Sequence, residues 1–305
     1  MQQHYPIGVP GQPWQEKEKQ QWLAMQSQKR SYHEDVLSQI VHLRHSYEVE
    51  QYGELDYAQE HYPLFAIKSS DWDPNLPTIL VTGGVHGYET SGVHGALSFM
   101  TSKASDYFRQ VNIVVTPCVS PWAYETINRW NPSALDPNRS FYKASPCRES
   151  ALLMNYIESL GVSFAMHIDL HETTDTDNSE FRPALSARDG IEQAVWDIPD
   201  GFYLVADSQH PEPDFQTAII KNVSTVTHIA PADAGGKIIG VPVTQPGVID
   251  YDAVPLGLCM GLTQARWRTT TEVYPDSPKT DPENCIKAQV AAIEGAIEYV
   301  VQQRR

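Results

Sequence analysis

The alternation of apolar and polar positions along the chain predicts strands and helices in turn. Thr78-Ile79-Leu80-Val81 is a continuous apolar run, the pattern of a buried strand, and Gly83-Gly84 behind it end that strand in a tight turn. Val111–Val115, Phe164–Leu170 and Thr269–Val273 read as further strands. Helices are predicted from Glu89 to about Phe108, near 147–160 and over Pro282–Gln302. From Trp14 to His45 the chain is polar with spaced apolar residues (Trp22, Leu23, Met25, Val36, Leu37, Ile40, Val41), which predicts one or two amphipathic helices. Tyr47–Leu55 and Tyr62–Ser69 predict a hairpin, and Asp71–Pro77 a turn. Residues 117–146 form a long loop rich in Pro, Asn and Trp, and loops of that length are often functional. Residues 172–250 show no clear periodicity and are expected to hold insertions and one helix. Strands alternating with helices predict an α/β sheet with helices on both faces. The expected division is a tail and helical extension over 1–45 and one α/β domain over 46–305.

Composition narrows the class. A chain of 305 residues can bury a substantial core, and 41% hydrophobic with 20% charged residues describes a globular soluble protein. A formal net charge of −16 argues against a nucleic-acid partner, which calls for a basic face. No apolar run approaches the ~18 residues of a membrane span, and the first residues lack the basic flank and apolar stretch of a secretory signal. Cys118, Cys147, Cys259 and Cys285 are far apart and form no CxxC pair. That argues against a cysteine-rich zinc module and suits reduced thiols in a cytoplasm.

Chemistry concentrates where the strands end. Gly83-Gly84-Val85-His86-Gly87-Tyr88-Glu89 places an imidazole and a carboxylate at the lip of the first buried strand, two of the three ligands of a His/His/Glu zinc site. The spacing alone is weak, since His45 and Glu48 share it in a polar stretch that reads as surface. Position separates the two pairs, because sites in open α/β sheets form at the carboxyl ends of strands. His171, at the exit of the strand 164–170, can reach the same rim and is the candidate third ligand. His167 lies deeper on that strand and reads as a core histidine, with Asp169 or Glu172 available to fix a ring tautomer. Glu272 is a lone carboxylate in a β-branched run, unexpected on propensity, and is the candidate base. In the long loop, Arg129, Asn138 and Arg139 can polarise a carbonyl and grip a carboxylate. There is no G-x-S-x-G elbow, and the GGVHG turn lacks the spacings of nucleotide loops.

Taken in order, GGVHGYE, the Arg129 segment leading into DPNR, DLH and TTTE make the chain resemble the zinc carboxypeptidase family and its succinylglutamate desuccinylase and aspartoacylase relatives. The resemblance spans about residues 78–275 and implies a mixed eight-stranded sheet between helices. It implies one Zn2+ on His86, Glu89 and His171, with a second metal left open, Arg129 as oxyanion stabiliser and Glu272 as general base. Asn138 and Arg139 would hold a substrate carboxylate. The implied reaction is amide hydrolysis, first of all release of a C-terminal amino acid from a peptide. Deacylation of an N-acyl amino acid or trimming of a murein peptide is the enzymatic alternative, and a zinc-binding protein with a silent site the non-enzymatic one. Two departures bear on specificity. The mobile tyrosine of digestive members has no counterpart at its usual place, with Tyr251 a weak substitute. Asp250 and Asp252 fall in the segment that faces the substrate side chain in relatives, which points to a basic preference.

Overall fold

The computed structural model describes residues 5–57 and 60–304, so the first four residues of the expected tail lie outside the described part. Helix α1 spans Glu16–Ala24, and a short π turn at His33–Leu37 runs into α2, Ser38–Leu43. The hairpin strands β1, Tyr47–Tyr57, and β2, Glu60–Ser69, follow, then β3, Thr78–Gly83. Helix α3 covers Thr90–Ser102 and stops earlier than expected, because Lys103 leaves helical backbone (φ −131°) before a separate turn at Ala104–Tyr107. After β4, Asn112–Thr116, the long loop contains α4, Pro121–Thr126, and a single 3-10 turn at Pro137–Arg139. Helix α5, Arg148–Ser159, leads to β5, Phe164–Glu172.

The segment without clear periodicity holds more than one helix. A π turn at Asp177–Phe181 continues into α6, Arg182–Asp189, and β6, Tyr203–Asp207, precedes α7, Pro213–Val223. Strands β7, Lys237–Ile238, β8, Val241–Gln245, and β9, Val248–Tyr251, complete it. Strand β10, Trp267–Val273, and α8, Pro282–Gln302, close the chain. Helix α8 begins where the spacing predicts, with Pro282 in its first turn and the Asp281 carboxylate accepting from the Asn284 amide at 2.7 Å.

Among the described residues the sheet has ten strands in the order β1-β2-β4-β3-β5-β10-β6-β9-β8-β7, against the eight that the resemblance implies. Strands β7 and β8 form an antiparallel hairpin at one edge of the sheet. They are short, and β8 alternates half-buried with exposed positions, so no apolar stripe announces them in the sequence. The centre is parallel (β4, β3, β5, β10) and reads as apolar runs because both faces are covered. On β3, Ile79 and Val81 face a core built with α3, α7 and α8, while Leu80 faces the core beneath α5. Among the described residues no helix is long and apolar enough to cross a membrane.

Candidate active site

Two glycines shape the turn after β3. Gly84 has φ +60°, a backbone that favours glycine. A Cβ on Gly87 would sit 2.0 Å from the Tyr124 amide nitrogen, so the turn lies against α4 only because that position has no side chain. His86 therefore leaves the carboxyl end of β3, and Glu89 becomes the N-cap residue of α3. Sheet register brings the rest alongside: Gly83 pairs with Leu170 across β3 and β5, and His171 pairs with Glu272 across β5 and β10.

His86, Glu89 and His171 are all buried and converge on one point. His86 Nδ1 lies 2.8 Å from Glu89 Oε1, and His171 Nδ1 lies 2.6 Å from Glu89 Oε2. The ligand atoms of the three residues fall within 4.8 Å of one another. Each ring is gripped by its other nitrogen, His86 Nε2 by Asp136 Oδ1 at 2.9 Å and His171 Nε2 by Asp169 Oδ2 at 2.7 Å. Thr82 Oγ1 in turn donates to Asp169 Oδ1 at 2.5 Å. Carboxylates on the far nitrogens fix both rings with Nδ1 turned inward, which is how metal-bound imidazoles are held.

This donor set fits a zinc ion. Glu89 Oε2 is buried beside His171 Nδ1 and, among the described residues, receives no hydrogen bond of acceptable geometry, so a cation between the three side chains would find its lone pairs free. Burial pushes the Glu89 carboxyl up, but the two imidazoles hold it down at about 2. Burial likewise works against charge on His171, and Asp169 and Glu89 overcome it, holding its pKa well above the histidine range. The negative charge that draws a proton to His171 Nδ1 favours a divalent cation in the same place. Two nitrogens and one carboxylate are a common ligand set for catalytic zinc.

Around the triad stand the other predicted residues. Glu272 accepts a hydrogen bond from Thr173 Oγ1 at 2.9 Å, and Thr173 Oγ1 also meets the Tyr203 hydroxyl at 2.7 Å. Burial pushes the Glu272 carboxyl up to about 8, with His171 and the Thr173 hydroxyl partly offsetting. Arg129 Nε donates to Asp136 Oδ2 at 3.0 Å, so one carboxylate holds both a ligand ring and this guanidinium. Asn138 Oδ1 accepts from the Cys259 amide at 2.7 Å, and its Nδ2 lies 3.4 Å from His171 Nε2. Arg139 donates to the Asn138 carbonyl at 2.7 Å, and among the described residues no carboxylate stands within ion-pair distance of it. All these side chains line one cavity of about 430 Å³ together with Tyr203 and Tyr251.

Some expectations meet a different environment. Asp250 and Asp252 do not line the cavity: Asp250 takes a hydrogen bond from Thr244, and Asp252 pairs with Ser208. The basic preference therefore loses its support. His167 is fully buried as expected, with Nε2 3.1 Å from Thr82 Oγ1 and, among the described residues, no hydrogen bond of acceptable geometry to Nδ1. His45 and Glu48 are exposed, and Glu48 pairs with Lys68. Asp136, which opens the DPNR motif, is absent from the residues expected at the site but stands among them. Its Oδ1 meets His86 and the Asn138 amide while Oδ2 meets Arg129. Asp136→Asn is expected to weaken zinc binding by about 10–100-fold, measured by chelator competition.

Residues 75–200 match the family model of the succinylglutamate desuccinylase/aspartoacylase catalytic domain. That stretch contains His86, Glu89, Arg129, Asn138, Arg139 and His171, and ends before Glu272. No curated protein sequence matches the chain. Among solved structures, a provisionally assigned metallopeptidase from Shewanella denitrificans is similar with TM-score 0.65 at 19% identity, over 87% of this chain and 89% of that one. A metallo-carboxypeptidase from Burkholderia cenocepacia gives TM-score 0.60 at 14% identity, over 96% of this chain and 70% of that one. Bovine thrombin-activatable fibrinolysis inhibitor gives 0.58 at 12% identity, over 96% and 99%. The fold is the one these proteins share, and the matched segment carries three of the four motifs, GGVHGYE, DPNR and DLH, while TTTE lies beyond it.

Proposed function

From a carboxypeptidase-type fold carrying a succinylglutamate desuccinylase/aspartoacylase segment, we propose that this protein hydrolyses an amide bond next to a free carboxylate. The leading substrate is a peptide that loses its C-terminal amino acid. The observation that carries this reading is the shared cavity, in which the His86–Glu89–His171 triad, the Glu272 carboxylate and the unpaired Arg139 guanidinium face one space.

His86, Glu89 and His171 would hold one Zn2+, which when bound supplies Lewis acidity toward water and the scissile carbonyl. Glu272 accepts the proton of the attacking water and returns it to the departing amine. Burial in the cavity works to raise its pKa toward the neutral range, where a base is most useful. Arg129, steadied by Asp136, donates to the oxyanion that develops, a contribution of about 3–4 kcal/mol for a preorganised donor. Arg139 pairs with the substrate carboxylate and sets which bond reaches the metal. Arg139→Ala should therefore raise KM far more than it lowers kcat, because the contact is made equally in ground and transition states.

Deacylation of a small N-acyl amino acid is the second reading, favoured by the family match over 75–200. It requires the same carboxylate grip and the same base. Zinc-loaded protein assayed on a peptide library, N-acetylaspartate, N-succinylglutamate and a murein tripeptide separates the readings. Release of terminal residues from the library supports the first, and turnover confined to the acyl amino acids supports the second. Inactivity on the whole panel, with zinc bound, would leave a binding protein with a silent site.

A further inference from the structure

We infer that Arg30, supplied by the N-terminal extension, is a positioning residue that holds the His86–Glu89 turn in its ligating shape. This rests on the reading of that turn as part of a metal site. The guanidinium is half-buried and spends its fork on three neutral acceptors, each at 2.6 Å: the Gly87 carbonyl, Thr90 Oγ1 and the Tyr124 carbonyl. It also stacks on the Tyr124 ring, 3.6 Å from the centroid. Gly87 and Thr90 flank Tyr88-Glu89, so Arg30 grips the chain on both sides of a ligand. Through Tyr124 it ties that turn to α4, the helix against which Gly87 is packed.

Simpler explanations of this arginine do worse. Among the described residues no carboxylate stands within ion-pair distance of Arg30, so it is not there to complete a salt bridge. Thr90 is the first residue of α3, and a cation at a helix N-terminus opposes the helix dipole. Nor is it needed to attach the extension. Gln28 Nε2 and the Tyr32 amide both bond Glu125 Oε1, at 3.2 and 2.8 Å, and the Lys29 amide bonds the Glu125 carbonyl at 2.8 Å. What remains is geometry: a planar, rigid fork reaches three acceptors at once, which a lysine ammonium on a flexible stem does not reproduce.

The test is zinc affinity of the full chain, measured by competition with a chromogenic chelator, for wild type, Arg30→Ala, Arg30→Lys and Gln28→Ala. Both Arg30 variants are expected to bind zinc about tenfold more weakly, the lower end of the loss seen when an outer support of a metal site is removed. Gln28→Ala, which loosens the extension and leaves the fork intact, is expected to match wild type. Arg30→Lys keeps the charge and is the deciding variant if Arg30→Ala does not fold. Wild-type affinity in Arg30→Lys would overturn the inference, as would an equal loss in Gln28→Ala. A wild-type chain that binds no zinc would instead overturn the metal reading on which the inference stands.

Discussion

Glu272→Gln should keep its zinc and lose its turnover. Glutamine is nearly isosteric and can still meet the Thr173 hydroxyl, but it takes no proton, and general-base catalysis contributes about 10²–10⁴-fold. The loss is expected in kcat, with metal content per chain unchanged, because the ligand cluster consists of His86, Glu89 and His171. The same carboxylate gives a pH signature. In the proposed reaction Glu272 works deprotonated, so activity is expected to rise with pH through its pKa. Burial sets that pKa at about 8 without a metal, and a bound cation lowers it. The Thr173 hydroxyl lowers it as well, by donating to the charged form. Thr173→Val should therefore move the acid limb of the rate profile to higher pH, whatever its position in wild type. An unmoved limb would separate it from Glu272.

Taking away the metal, or one of its ligands, should have the other large effect. Exhaustive chelation is expected to abolish activity, and stoichiometric Zn2+ to restore it. His171→Ala should not be restorable, since its loss exceeds the ~10–100-fold cost of losing an outer partner. Substituting His171 also strands the buried Glu89 and Asp169 carboxylates, so a fall in stability by itself proves little. The sharper readout is the zinc dependence of Tm. A ligand that binds only the folded state stabilises it by about 4 kcal/mol at a thousandfold excess over Kd. Wild type should therefore melt at a higher temperature as zinc is added, and His171→Ala should not respond.

How much of this was legible in the sequence depends on whether a residue's role is local. His86 and Glu89 could be found because strand, glycine turn and ligands are contiguous, and His171 because it ends a run of buried strand. His45 and Glu48 share the spacing and lack that setting, and they are exposed. Glu272 stood out because a carboxylate is foreign to a β-branched strand. Asp136 gave no such signal: an Asp before Pro is ordinary turn chemistry, and only the fold turns its two oxygens toward His86 and Arg129. Arg30 sits in the polar stretch Gln26-Ser27-Gln28-Lys29-Arg30, inside the region whose spacing predicts amphipathic helices, where a single arginine carries no signal. Its three acceptors lie roughly 60 to 90 residues away, beyond any periodicity. The edge strands β7 and β8 escaped for a related reason, being too short and too exposed to carry a stripe.

In the proposed reaction this cavity couples a metal-assisted base to a guanidinium that reads a free carboxylate. The most direct test uses zinc-loaded protein and matched peptides that differ only in whether the C-terminus is a carboxylate or an amide, with metal content measured on the same preparation. The terminal residue should be released from the free peptide and at a rate lower by orders of magnitude from the amide, a gap that narrows in Arg139→Ala. Equal rates on the two peptides would contradict it.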